Sequence, residues 1–359
     1  MYLSVFILII ILTTVWYGII PLIGMLTVRQ QWRLFRRRFD DSRLCPILNY
    51  SHAPGNVFRF DGYLESFSEK HVIWIRNKTL TVPVSLENSQ LYVFPHGSDN
   101  PPQRIQRNDI TTLTEYSNIF VCGQLSKRNR QNMFVSTKEY PLIIIFYEGN
   151  IRDLTVRVIQ CGRYKTEYWN KITPYSLICG VFSNLFIGLV FLNRPAFSLT
   201  VTVAFIALWT PLFSFIPPGI IFTLLGQHCW HQARIFRSYR DIVYLPAKYA
   251  FLNNRLPNGE QYGVLKTNTL ALTVPMLVPI PQKKIKEIKE WYVFGAFHEN
   301  DGPVQPYDFS APYGALPGKP ERLAQHYNRK ALIYEIIAWI SFSIGMALST
   351  AFIVFLVFE

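Results

Sequence analysis

Charge is scarce in this sequence: Asp, Glu, Lys and Arg make up 16% of its 359 residues, below the share of an ordinary soluble domain. Acidic residues are the scarcer sign, 23 against 36 basic ones. Asp99, Asp109, Glu115, Asp241 and Asp301 fall into no spacing that suggests a general acid–base pair. Cysteine is sparse too. Cys45, Cys122, Cys161, Cys179 and Cys229 are odd in number and form no CxxC pair. That argues against a disulfide scaffold and suits a reducing compartment. The signatures HExxH, GxSxG, GxGxxG and GxxxxGK followed by Ser or Thr are all missing. The glycine-containing loops near Gly97 and Gly314 lack the strand–loop–helix context that aims amides at a phosphate. No reaction and no cofactor can be read from these residues.

Long apolar runs are what the sequence has in abundance. Hydrophobic residues are 50% of the chain and aromatic residues 15%. They gather in four stretches able to cross roughly 30 Å of hydrocarbon. The first, residues 2–26, lies in a transmembrane anchor over 1–28. No positive charge precedes it and no small-x-small site follows, so it reads as uncleaved; the alternative is the signal of a periplasmic precursor. The others are 174–192, 196–226 and 331–358, the middle two joined by the turn Asn193-Arg194-Pro195. Arg29, Arg33, Arg36, Arg37 and Arg38 follow the first span, and Arg234, Arg237 and Arg240 follow the third. Arg329 and Lys330 precede the fourth. All three groups fall on one side, expected to be cytoplasmic, with both termini outside. The formal charge of +13 thus points to anionic lipid and not to nucleic acid. A bacterial inner membrane is the expected setting.

Pro211, Pro217 and Pro218 interrupt the third run. The reading preferred from the sequence is one long helix with proline kinks; the alternative is two half-helices in a re-entrant or broken element. Gly180, Asn184 and Gly188, and likewise Ser341, Gly345 and Ser349, recur every four residues. Such small-residue faces predict close packing between spans or self-association of the chain. Glu335 lies one turn inside the fourth span, where it reads as a local interfacial group.

Two segments between the spans have soluble composition. Residues 55–172 read as short strands, with candidates at 71–75, 79–84, 91–94, 119–125 and 133–136, closing as a small barrel or a twisted sheet. Residues 142–147 are apolar but too few to cross a membrane, hence a buried strand or helix. A second β-rich segment over 245–328 has candidates at 262–265, 270–274 and 292–297, with a charged connector over 283–290. Residues 120–125 and 292–297 share a register, with Glu115-Tyr116 and Glu290-Trp291 before them. Phe134-Val135-Ser136 and Asp308-Phe309-Ser310 follow them, so the second segment is expected to repeat the first. The predicted class is a polytopic α-helical membrane protein with two small β-rich cytoplasmic domains. Asn77-Lys78-Thr79 matches a glycosylation sequon that a cytoplasmic segment would leave unused.

The strand pair around 71–84, the strand at 119–125 and Met133-Phe134-Val135-Ser136, with a span soon after, carry a family resemblance. Together they resemble the "beside a membrane" (BAM) domain of GIDE-type membrane-anchored ubiquitin ligases and their bacterial relatives. The resemblance covers about 60–192, with an echo at 290–345. It implies a membrane-adjacent sensing or interaction module. Ligase activity is not implied, because the cysteines lack the spacing of a zinc-binding RING.

His228-Cys229-x-His231 is the densest group of metal-ligand types, with His231 one helical turn from His228. A structural site needs about four ligands, so these also read as interfacial residues beside Trp230. The expected function is a scaffold, sensing or protein-interaction protein with a protein partner. The alternatives are a transporter or transporter subunit, or a membrane enzyme whose site is assembled across distant segments.

Overall fold

A computed structural model describes residues 2–49, 53–68, 72–95, 102–105, 117–128, 131–161, 163, 168–252, 255–270, 273–280, 285, 288–297, 302–307 and 311–358. In chain order the helices are α1 (Tyr2–Thr14), α2 (Ile20–Arg43), α3 (Ile151–Gln160), α4 (Thr173–Phe191), α5 (Ser198–Trp209), α6 (Gly219–Leu252) and α7 (Pro320–Phe358). Between α2 and α3 lie β1 (Val57–Ser68), β2 (Val72–Arg76), β3 (Thr81–Ser85), β4 (Gln90–Phe94), β5 (Gln103–Ile105), β6 (Asn118–Arg128), β7 (Gln131–Val135) and β8 (Ile143–Tyr147). Between α6 and α7 lie β9 (Gln261–Thr267), β10 (Trp291–Phe297) and β11 (Gly314–Pro317). The chain divides into two compact units: Met1–Arg33, Arg163–Phe236 and Arg329–Glu359 form the first, and Leu34–Gly162 and Arg237–Asn328 form the second.

The first unit is helical. Four helices are long and apolar enough to cross a membrane: Leu3–Arg43, Thr173–Phe191, Pro195–Phe215 and Pro320–Leu356. The chain is thus a polytopic α-helical membrane protein. Helix α1 passes through a π turn, Val15–Ile19, into α2. Pro21 explains the opening, since it has no N–H for the carbonyls one turn before it. Helix α4 lies antiparallel to this segment. Ile9 packs with Ile187, Asn184 Nδ2 reaches Thr13 Oγ1 at 3.5 Å, and a side chain at Gly180 would strike the Tyr17 ring.

The third apolar run departs from the single kinked helix expected over 196–226. Helix α5 tightens into a 3₁₀ turn, Thr210–Phe215, Ile216 is extended, and α6 begins at Gly219. Pro217 and Pro218 offer no donors to the turn before them, so the α-helical ladder cannot run through. The break is held from outside: Ser349 Oγ donates to Ile216 O at 3.2 Å. Beyond it, α6 runs antiparallel to α7. Gly219 faces Ser349 and Gly345, Gly226 faces Ala338 and Ser341, and Phe236 stacks on Tyr334.

These contacts are the packing between spans that the small-residue faces predict. Gly180, Asn184 and Gly188 are buried against α1 and α5, and Ser341 and Ser349 are buried beside α6. Their closeness is used within the chain.

The second unit holds both β-rich regions. The first is an eight-stranded sheet ordered β1-β2-β3-β7-β6-β8-β4-β5, and an added β1–β6 pairing closes β1, β2, β3, β7 and β6 into a ring. The ring encloses Phe58, Phe60, Leu64, Ile73, Ile75, Val84, Leu125 and Phe134. Gly62 permits the coiling of β1, since a Cβ there would lie 2.5 Å from Arg76 O. The hairpin of β2 and β3 turns on Asn77, whose Oδ1 accepts from the amides of Thr79 at 2.8 Å and Leu80 at 2.7 Å. Residues 142–147, left open as strand or helix, supply β8. All five β8 residues are buried, which explains the run without alternation. Ile144 and Phe146 face the first core. On the sheet surface, Phe35 and Phe39 of α2 meet Tyr92 and Phe120 at ring centroid distances of 3.9 and 5.3 Å.

The second β-rich region is a three-stranded antiparallel sheet ordered β11-β10-β9. It does not repeat the first among the described residues. Residues 120–125 lie in β6, which pairs with β1, β7 and β8, whereas residues 292–297 lie in β10, which pairs only with β9 and β11. The shared register reflects the short apolar strand with a central glycine that both cores require. Glu115-Tyr116, Asp308-Phe309-Ser310 and half of 283–290 lie outside the described residues, as do His71, Gly97, Asp99, Asp109 and Asp301. The expected 245–328 segment is also helical at both ends, through α6 and α7. Its core includes Tyr262, Phe294 and Leu316 together with Ile159 of α3 and Ile242 and Val243 of α6.

Candidate functional site

The basic residues expected to flank the membrane do not act alike. Arg36 Nη1 donates to Cys161 O at 2.6 Å, at the C-terminus of α3. A cation there satisfies a helix-end carbonyl and meets the negative end of the helix dipole. Arg240 bonds Asp241 Oδ1 through Nε at 2.7 Å and Asn328 Oδ1 through Nη1 at 3.0 Å. These two thus hold contacts within the protein. Arg33 and Arg37 are exposed, and Arg38 and Arg237 are partly buried.

Arg29 and Arg234 converge on one indole. The Arg29 guanidinium lies 5.5 Å and that of Arg234 4.5 Å from the Trp230 ring centroid. Trp339 meets Trp230 edge-on at 6.1 Å. Nearby on the same two helices, Lys330 lies 5.5 Å over the Phe236 ring. Helical spacing places Trp230 and Arg234 on one face of α6, four residues apart. The pairing of Arg29 with Arg234, distant in sequence, is a feature that no motif announces.

The histidines and cysteine beside this cluster do not come together. His228 and His231 are exposed on α6 while Cys229 is buried on another side of it. Among the described residues no group of three or more His, Cys, Asp or Glu side chains could hold a metal ion. Glu335 is a neighbour in sequence of Tyr334, the residue stacked on Phe236.

A polar pair that sequence reasoning missed lies in the β-rich unit. Arg59, fully buried, donates through Nε to Cys45 O at 2.9 Å and stands opposite Cys122 in the β1–β6 register. The Cys122 thiol bonds the Cys45 sulfur, which holds the Cys45 thiol below its ordinary range, with Arg59 assisting. The same bond and burial push Cys122 up. Burial likewise raises two phenols: Tyr249 to about 12, with its hydroxyl on Asp40 O at 3.2 Å, and Tyr262 further, bonded to Pro312 O at 2.6 Å.

The fold and these contacts define an integral membrane protein with a helical membrane unit and two β-rich regions. No protein-family model, curated protein or solved structure matches the chain.

Proposed function

We propose that this protein is a membrane-anchored scaffold or sensor that binds a protein partner through its β-rich unit. The observation that carries the reading is the exposure of single aromatic side chains on that unit: Tyr63, Tyr140 and Tyr307 are 51%, 52% and 86% exposed. Exposed aromatics are favoured at interfaces because they bury large area for little side-chain entropy. The strands that carry the BAM-domain resemblance, β2, β3, β6 and β7, are neighbours in the closed ring, which supports a membrane-adjacent module. In this reading the β-rich unit is cytoplasmic, at a bacterial inner membrane, with anionic lipid meeting the basic residues.

A transporter is the second reading, favoured by the break at Ile216. The packing of α7 against that break, through Ser349 and Gly345, supports the scaffold reading instead. Photo-crosslinking residues at positions 63, 140 and 307 in native membranes test the choice. The scaffold reading expects a discrete protein adduct at one or more of them. Absence of adducts at all three, with saturable solute uptake by proteoliposomes, favours transport.

A further inference from the structure

We infer that Cys45 and Cys122 form a reversible oxidation site, where a small hydroperoxide such as hydrogen peroxide converts two thiols into a disulfide between the end of α2 and β6. Strands β1 and β6 run antiparallel with Arg59 opposite Cys122, so both side chains leave the sheet on one face. The next opposed pair, Phe60 and Val121, faces the enclosed core instead. The face that carries Cys122 also carries Phe120, on which Phe39 of α2 packs. Past α2 the chain bends at Cys45 and joins β1: the Arg59 amide donates to Pro46 O at 3.0 Å and Arg59 Nε to Cys45 O at 2.9 Å. Arg59 thereby brings together two cysteines that are distant in sequence. The Cys122 thiol donates to the Cys45 sulfur, and the Cys45 thiol donates to Asp41 O at 3.8 Å.

Exposure sets the order of events. Cys45 is half-buried beside exposed Asp41 and Pro46, whereas Cys122 is buried. The bond from Cys122, and after it the Arg59 guanidinium, favours the thiolate at Cys45. That thiolate attacks one oxygen of hydrogen peroxide. The O–O bond breaks, Cys45 becomes a sulfenic acid, and the departing hydroxide takes the proton that Cys45 gave up. The Cys122 sulfur then attacks the Cys45 sulfur. The S–S bond forms, the S–O bond breaks, and the second hydroxide leaves as water with the Cys122 proton. Two thiols have lost two electrons, and one peroxide has become two waters. A dithiol reverses the change by exchange, returning both electrons and both protons. The sulfurs must close to about 2.05 Å. Cys122 is held on both sides, by Arg59 of β1 and Ile143 of β8, so the bend at Cys45 is the part that yields. The inference rests on these two sulfurs alone, so its failure leaves the partner-binding proposal untouched.

The test treats the reduced full-length protein in neutral detergent with hydrogen peroxide and maps its cysteines by mass spectrometry of a non-reduced digest. A peptide pair linked through Cys45 and Cys122 is expected, and dithiothreitol should release it. Cys122→Ser is expected to collect sulfenic acid at Cys45, trapped by dimedone. Cys45→Ser should leave Cys122 at least tenfold less reactive than Cys45 in the first variant. Both cysteines recovered as free thiols from the unaltered folded protein, under peroxide that oxidises free cysteine, overturns the proposal. So does linkage of Cys45 to a second copy of the chain or to Cys161. These outcomes are read on the unaltered protein and stand whether or not a variant folds. Dimedone labelling of Cys122 in a folded Cys45→Ser variant, as fast as that of Cys45 in the first variant, overturns the order of attack.

Discussion

The hydroxyl of Tyr168 donates to the main-chain carbonyl of Tyr17 across 3.0 Å. Pro21, four residues on, has no N–H to fill that place. The neighbouring carbonyl of Trp16 accepts from the Ser176 hydroxyl, and that of Pro21 accepts from Asn170 Nδ2 at 3.3 Å. A proline thus opens the first crossing, and side chains from the start of the second close it. A backbone carbonyl left bare in hydrocarbon costs several kcal/mol.

Tyr168→Phe combined with Ser176→Ala is therefore expected to lower the unfolding midpoint in detergent by several degrees. Ser183→Ala is the control, because Ser183 donates to Cys179 O of its own helix and should change little. Equal midpoints for both variants would show that the first crossing does not need these donors.

Helix contact in the membrane unit predicts a contrast between two glycines. A Cβ at Gly180 would run into the Tyr17 ring, whereas at Gly188 it would meet Phe205 at an ordinary 3.5 Å. Gly180→Ala is expected to cost about 1–3 kcal/mol from overpacking, and Gly188→Ala to be near neutral. Detergent-resistant fluorescence unfolding curves for the two variants measure the difference.

Arg36→Ala removes the donor to Cys161 O and is expected to destabilise the β-rich unit by about 1–2 kcal/mol. Arg37→Ala, at an exposed site, should stay within about 0.5 kcal/mol. Hydrogen exchange at the end of α3 reads the effect directly, and it should rise only in the first variant.

The buried phenols set an alkaline limit. Burial raises the Tyr249 pKa to about 12 and the Tyr262 pKa further, against about 10 in the unfolded chain. Between those values the unfolded chain has released protons that the folded protein retains. The associated stability is complete below pH about 10 and falls as pH rises toward 12. Tyr249→Phe with Tyr262→Phe should cost stability at neutral pH, since Asp40 O and Pro312 O lose donors, yet flatten the decline above pH 10. Denaturant unfolding at pH 8 and pH 10.5 compares the slopes; an unchanged slope assigns the alkaline loss to other groups.

Thiol labelling checks both burial and sidedness. Cys45 is half-buried, and Cys122 and Cys161 are buried. A membrane-impermeant maleimide is expected to label Cys45 only after cells are permeabilised, and Cys122 and Cys161 only after unfolding. Labelling of Cys45 in intact cells would reverse the proposed topology.

Local chemistry was legible in the residues. The four spans follow from apolar length, because hydrocarbon imposes its thickness on any helix that crosses it. The turn at Asn77 follows from one side chain reaching amides two and three residues on. The prolines announce a disturbance in the third run, but the sequence favours one kinked helix over the interrupted one that forms. Ser349 Oγ on Ile216 O shows what supports the break. That donor comes from a different span and leaves no local trace.

What the sequence by itself determined is therefore the set of elements whose cause is short-range: spans, turns and strand candidates. The tertiary structure alone decided which basic residues face a partner inside the protein and which gather at the membrane end. Arg36 and Arg37 are adjacent, yet helical rotation of about 100° per residue carries one to Cys161 O and leaves the other exposed. Arg29 and Arg234 meet over Trp230 because packing, which has no sequence period, brings α2 and α6 together. The same packing denied the repeat: like strands at 120–125 and 292–297 took different neighbours, since strand pairing is set by the whole sheet and its core and not by the strand's own residues.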